Sequence, residues 1–122
     1  MSAVKQLNGC SVLVVDDDFY LAEDSREALE EAGATVLGPY GREDEALASI
    51  EEDLPDLAVI DLNLGAGPSF KVAWAMKARG VPMVLVTGYD ADVILRDLAD
   101  TSRLQKPVSR ATLVAAVTEL LR

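Results

Sequence analysis

Residues 11–38, SVLVVDDDFYLAEDSREALEEAGATVLG, hold the pattern on which the fold turns. Ser11 to Val15 is a continuous apolar run of strand length, and it ends abruptly in three carboxylates, Asp16, Asp17 and Asp18. Tyr20 to Ala32 then sets Leu21, Ser25, Ala28, Leu29 and Ala32 on one face of a helix, closed by Gly33. Ala34 to Gly38 is a second strand. A strand with no polar alternation is buried on both faces, as parallel strands covered by helices are.

The same unit repeats along the chain. Glu43 to Glu52 is a short helix with Ala46, Leu47 and Ile50 inward, and Leu57 to Ile60 is a third strand. Ser69 to Arg79 is a helix with Pro68 near its start and Gly80 past its end. Val81 to Thr87 reads as a fourth strand, Ala91 to Ala99 as a short helix and Arg103 to Gln105 as a weak fifth strand. Ser109 is placed to cap a last helix whose Leu113, Ala116, Val117 and Leu120 form an apolar stripe. Alternating βα units of this length predict a doubly wound α/β sandwich of five strands and five helices.

A chain of 122 residues, half of them apolar, builds one core and not two. The expectation is a single domain over 1–122 with no output domain. No apolar stretch is long enough to span a bilayer, and Met1 to Gly9 lacks a signal-peptide core. One cysteine, Cys10, excludes an internal disulfide and fits the cytoplasm. The net charge of -10 argues against nucleic acid and anionic membranes as partners. The chain has no histidine, which removes histidine-based triads, general bases and zinc sites. It also confines the chain to the aspartate side of any phosphorelay.

Ligands of such sheets bind beyond the carboxyl ends of the strands. Strand one delivers Asp16, Asp17 and Asp18 there, strand three Asp61, Leu62 and Asn63, strand four Thr87-Gly88, and strand five Lys106-Pro107. Crowded carboxylates repel, and a hard cation such as Mg²⁺ relieves the repulsion through oxygen ligands. A carboxylate beside that cation is a competent nucleophile toward a phosphoryl group. Such transfer needs neutralisation of the equatorial oxygens, which Mg²⁺, the Lys106 ammonium and the Thr87 hydroxyl would supply one each.

Val12-Leu13-Val14-Val15-Asp16-Asp17, Pro55 to Leu64 (PDLAVIDLNL), Val86-Thr87-Gly88 and Lys106-Pro107 together resemble the receiver domain of bacterial two-component systems, in order and at family spacing. The resemblance implies a five-stranded parallel sheet of flavodoxin-like order 2-1-3-4-5 with helices on both faces. It implies Asp61 as phosphoacceptor, with Mg²⁺ held by Asp17, Asp61 and the Asn63 backbone carbonyl, and by Asp16 through water. Thr87 and Lys106 would read the phosphoryl group. The implied partners are a sensor histidine kinase or histidine phosphotransfer protein as donor, and a downstream protein that the sequence does not identify. The implied activity is self-phosphorylation and slow autodephosphorylation rather than turnover of an external substrate. Thr87-Gly88-Tyr89 further resembles stand-alone receivers in which threonine, glycine and an aromatic close strand four.

Three positions depart from that pattern. Gly65 replaces the usual proline, within Gly65-Ala66-Gly67-Pro68. Arg103 stands where strand five commonly carries tyrosine or phenylalanine, and the stretch from Thr87 to Lys106 is short. A guanidinium is costly to bury, so Arg103 is expected at the surface near Asp97 or Asp100. Gly88 to Asp100 is then the expected switching segment.

Plainer readings stand beside these. Asp16 to Asp18 alone fit a solvated strand end or a helix cap, and Thr87-Gly88 a strand end and turn. Phe70 and Trp74 fit helix packing, Cys10 an apolar filler, and the acidic helices solvated faces. A rival function is a Mg²⁺-dependent phosphohydrolase of haloacid-dehalogenase type, which needs a second aspartate two residues after its nucleophile. Asn63 holds that position and is no general acid. The other rival is a degenerate receiver that only binds.

Overall fold

The computed structural model describes residues 6–62, 70–88, 98 and 100–121. Five strands, β1 (Ser11–Val15), β2 (Thr35–Tyr40), β3 (Leu57–Asp61), β4 (Met83–Thr87) and β5 (Ser102–Gln105), form one parallel sheet in the order β2-β1-β3-β4-β5. Four helices are seen among the described residues: α1 (Phe19–Glu31), α2 (Glu43–Glu52), α3 (Lys71–Ala78) and α4 (Arg110–Glu119). The helix expected over Ala91 to Ala99, apart from the buried Leu98, and the loop from Asn63 to Ser69 lie outside the described residues.

Side-chain alternation explains why the interiors of the central strands are apolar. In β1, Leu13 and Val15 point to one face while Val12 and Val14 point to the other. Ala58 and Ile60 of β3 join the first set and Leu57 and Val59 the second; β4 divides likewise. The first face is covered by Ala46 and Ile50 of α2 and by Val72, Ala73 and Met76 of α3. The second is covered by Leu29 of α1 and by Leu113 and Val117 of α4. Every apolar run therefore feeds two cores.

The helices begin where side chains satisfy their first N–H groups. Asp18 caps α1, its carboxylate accepting from the Tyr20 and Leu21 amides at 3.0 and 3.1 Å. Ser109 caps α4 through the Thr112 amide. At the amino edge, Ser11 and Asp56 bond reciprocally, the Ser11 amide to the Asp56 carboxylate and the Asp56 amide to the Ser11 hydroxyl. This contact fixes β1 against β3 in register.

Two strand limits differ from expectation by two residues, the others by at most one. β2 runs to Tyr40 rather than ending at Gly38, and the pairing with β1 gains one residue between Leu37 and Tyr40. Gly38 makes this feasible, since its φ is +101° and a Cβ there would lie 2.9 Å from the Val14 carbonyl oxygen. Pro39 follows on an edge strand, where its missing N–H breaks no inner ladder. The irregularity carries β2 far enough for the Tyr40 carbonyl to accept from the Asp16 amide at 2.9 Å. β4 begins at Met83, with Val81 and Pro82 leading into it.

Candidate functional site

Four strands end together at the carboxyl edge. The register pairs Val15 with Ile60, Asp61 with Val86 and Thr87 with Gln105. The next residue of each chain therefore emerges over the same edge. Asp61 closes β3 and is only 1% exposed, while Asp16 and Asp17 follow β1 directly. One carboxylate oxygen from each of Asp16, Asp17 and Asp61 lies within 4.8 Å of the others.

Lys106 enters from beyond β5. Its backbone amide donates to the Thr87 carbonyl at 2.9 Å, continuing the β4–β5 ladder by one residue. Its ammonium then reaches Asp61 Oδ2 at 2.6 Å. Thr87 itself is 4% exposed at the end of β4. The edge thus brings Asp16, Asp17, Asp61, Thr87 and Lys106 to one place, as the sequence reading expected. Asn63 and Tyr89 lie outside the described residues.

The electrostatics are unbalanced. Burial pushes the Asp16 carboxyl up to about 6, and the negative charge and hydrogen bonding of Asp61 add to it. The Asp18 amide, donating to Asp16 Oδ1 at 2.9 Å, and the Lys106 charge hold it back only in part. For Lys106, burial acts to lower the pKa, but the hydrogen bond and charge of Asp61 outweigh it, with Asp16 and Asp17 assisting. The net direction for Lys106 is up. Three carboxylates face one ammonium. An all-oxygen donor set with surplus negative charge fits a hard divalent cation such as Mg²⁺.

The acidic triplet divides its labour. Asp16 and Asp17 belong to the carboxylate cluster, whereas Asp18 turns away to cap α1. The cap reading suits one residue of the three. Arg103 is exposed on β5, as expected from its charge, while Asp97 lies outside the described residues.

The family described as the response regulator receiver domain matches residues 12–118. The chain belongs to that family. Receivers are phosphorylation-dependent signalling switches of two-component systems rather than enzymes that turn over an external substrate. Solved structures agree on the architecture. SdrG from Sphingomonas melonis Fr1 is 32% identical over the whole of both chains, with a TM-score of 0.79. The receiver domain of PhyR from Erythrobacter litoralis is 19% identical, covering 93% of this chain and 91% of its own, with a TM-score of 0.82. A mutant of the anti-anti-sigma factor PhyR from Bartonella quintana gives 0.83 at 19% identity. This receiver covers 50% of that Bartonella chain, and 97% of its own length is matched. No curated protein sequence matches it. No helix among the described residues is long and apolar enough to cross a membrane.

Proposed function

We propose that this receiver accepts a phosphoryl group on Asp61 from a histidine kinase or histidine phosphotransfer protein, in a Mg²⁺-dependent reaction. The observation that carries the reading is the buried Asp61 carboxylate, bonded to Lys106 at 2.6 Å and clustered with Asp16 and Asp17. A carboxylate that is 1% exposed beside one cation and two further acids is poorly explained as architecture.

In the proposed step an Asp61 carboxylate oxygen attacks phosphorus, the P–O bond forms, and the P–N bond to the donor imidazole breaks. Lys106, already within reach of the carboxylate, takes one equatorial oxygen, and the Thr87 hydroxyl takes another. Asp17 and Asp61 would hold the metal with the Asn63 carbonyl, and Asp16 would hold it through water. The bound ion supplies neutralisation of phosphoryl charge. Water later hydrolyses the acyl phosphate slowly. The reading further takes the receiver as a cytoplasmic one that signals by binding a downstream protein.

The test is phosphoryl uptake from acetyl phosphate or a cognate kinase. Asp61→Asn is nearly isosteric and removes one of three clustered charges, so it should fold and take up no label. Acid-stable, base-labile incorporation in that variant at wild-type yield would place the acceptor elsewhere.

A further inference from the structure

The turn that leads into β1 is Leu7-Asn8-Gly9-Cys10. The Cys10 amide donates to the Leu7 carbonyl at 3.0 Å. Gly9 has a φ of +84°, whereas Asn8, like every non-glycine residue described, has a negative one. That combination is a type II turn, which calls for glycine at its third position. Asn8 and Gly9 are both exposed, and a Cβ built on Gly9 would meet nothing within 4 Å. Among the described residues, neither the Gly9 amide nor the Asn8 side chain makes a hydrogen bond.

The ends of the turn are fixed. Leu7 is fully buried in the core beneath α1 and α4, and its amide donates to the Ala32 carbonyl at 2.8 Å. The Cys10 carbonyl accepts from the Thr35 amide, also at 2.8 Å. Two exposed, unbonded groups that can react with each other therefore sit between anchored residues. The backbone nitrogen after an asparagine can reach the side-chain carbonyl carbon and close a succinimide ring. A Cβ on that next residue hinders closure, and glycine has none. The chain has two asparagines, and the other, Asn63, precedes Leu64.

We propose that Asn8-Gly9 is a self-modification site that converts to isoaspartate in the folded protein. The Gly9 nitrogen loses its proton to water and attacks Asn8 Cγ. The N–Cγ bond forms, the Cγ–Nδ2 bond breaks, and Nδ2 leaves as ammonia with a proton from water. Water then opens the succinimide. Cleavage between the Gly9 nitrogen and the Asn8 main-chain carbonyl carbon routes the backbone through the side chain as isoaspartate; cleavage at Cγ gives aspartate. Ring closure needs only local opening of a turn held by one hydrogen bond, which is far cheaper than global unfolding. Isoaspartate adds one backbone carbon and one negative charge between two pinned ends. The turn bond is then lost or Leu7 is drawn out of the core, so the modified chain is less stable.

The experiment incubates the whole protein in mildly alkaline buffer and follows Asn8 by peptide mapping and by labelling with isoaspartyl methyltransferase. Isoaspartate should accumulate at position 8 while Asn63 stays intact. Gly9→Ala should slow the conversion at least tenfold, and Asn8→Gln should abolish the label. The isoaspartyl form should melt below wild type, whereas Asn8→Asp, which carries the charge without the added carbon, should melt close to it. Asn8 intact in the folded protein while the same chain in urea converts, or an undiminished rate in Gly9→Ala, would overturn the site. An isoaspartyl form that melts with the wild type would overturn its consequence. No readout involves Asp61, so failure here is distinct from failure of the phosphorylation reading.

Discussion

The two helical layers of this receiver cover the same sheet with different materials. The α2/α3 layer brings Ile50, Val72 and Met76 down onto Leu13, Ile60 and Leu85, and all six are at most 3% exposed. It is also tied at both ends: Glu43 of α2 accepts from the Lys71 amide at the start of α3, and Arg79 meets Glu51 at 2.7 Å. The α1/α4 layer buries Leu29, Leu113 and Val117 on the opposite face, but Ser25 stands near Val14, Val59 and Val86, and a cleft of about 270 Å³ remains there. Its tie is Arg110, which faces Asp24, Glu27 and Glu31 of α1. One face is closed by its helices; the other leaves room above Val14, Val59 and Val86. Asp61 and Lys106 open onto the looser side.

The sharpest way to break this contrast is to truncate one wall of each layer. Met76 is fully buried, so Met76→Ala opens a new void and should cost about 2–5 kcal/mol. Leu113→Ala removes a similar volume but widens a cleft that solvent already reaches, so the penalty for an empty void largely disappears. We expect it to cost at least about 1 kcal/mol less than Met76→Ala in urea denaturation, with unchanged m values. Equal losses would mean that the cleft closes in solution.

Much of this architecture was legible beforehand, and the reasons are local. β1, β3 and β4 announced themselves because residues buried on both faces leave no polar alternation to misread. The polar edge was legible because Asp16, Asp17, Asp61, Thr87 and Lys106 each directly end or follow a strand. β2 was harder. Its end depends on the positive φ of Gly38 and on pairing beyond Pro39, which no periodicity announces. The cleft was hidden for a different reason. Ser25 reads correctly as inward, but whether an inward serine leaves a void depends on what three other strands place beneath it. Arg110 was equally silent, since its partners lie 79 to 86 residues away on a helix that only the fold brings near.

A second contrast lies between the acidic edge in chelator and in Mg²⁺. Asp16 has a folded pKa raised from 3.8 to about 6, so the native state holds its proton more tightly than the unfolded chain does. Stability from this group is therefore complete below about pH 3.8 and is lost as pH rises toward 6. In chelator, Asp16→Asn should melt at the same temperature as wild type near pH 4 and above it at pH 7. Mg²⁺ should raise the wild-type melting temperature at pH 7, and Asp17→Asn should lose most of that rise. A pH-independent difference between wild type and Asp16→Asn would show that burial of this carboxyl is not the cause.

The smallest expected effect tests the tie between α1 and α4. Arg110 is 40% exposed, and exposed ion pairs contribute about 0–1 kcal/mol each. Its three contacts are not worth three pairs, because at 3.1, 3.6 and 3.9 Å one guanidinium serves them all. Removing it does more than delete those contacts. Asp24, Glu27 and Glu31 lie three and four residues apart on α1 and would face one another uncompensated. Arg110→Ala should therefore cost about 1 kcal/mol at 0.15 M salt, against less for Arg79→Ala, whose loss leaves Glu51 alone. Screening shortens the Debye length from about 8 Å to about 3 Å between 0.15 and 1 M. Repulsion between the three acids fades with it, so the Arg110→Ala deficit should shrink in 1 M NaCl and approach that of Arg79→Ala. A deficit that persists undiminished at 1 M would instead mean that the arginine stem, packed across the mouth of the cleft, holds the two helices together by contact rather than by charge.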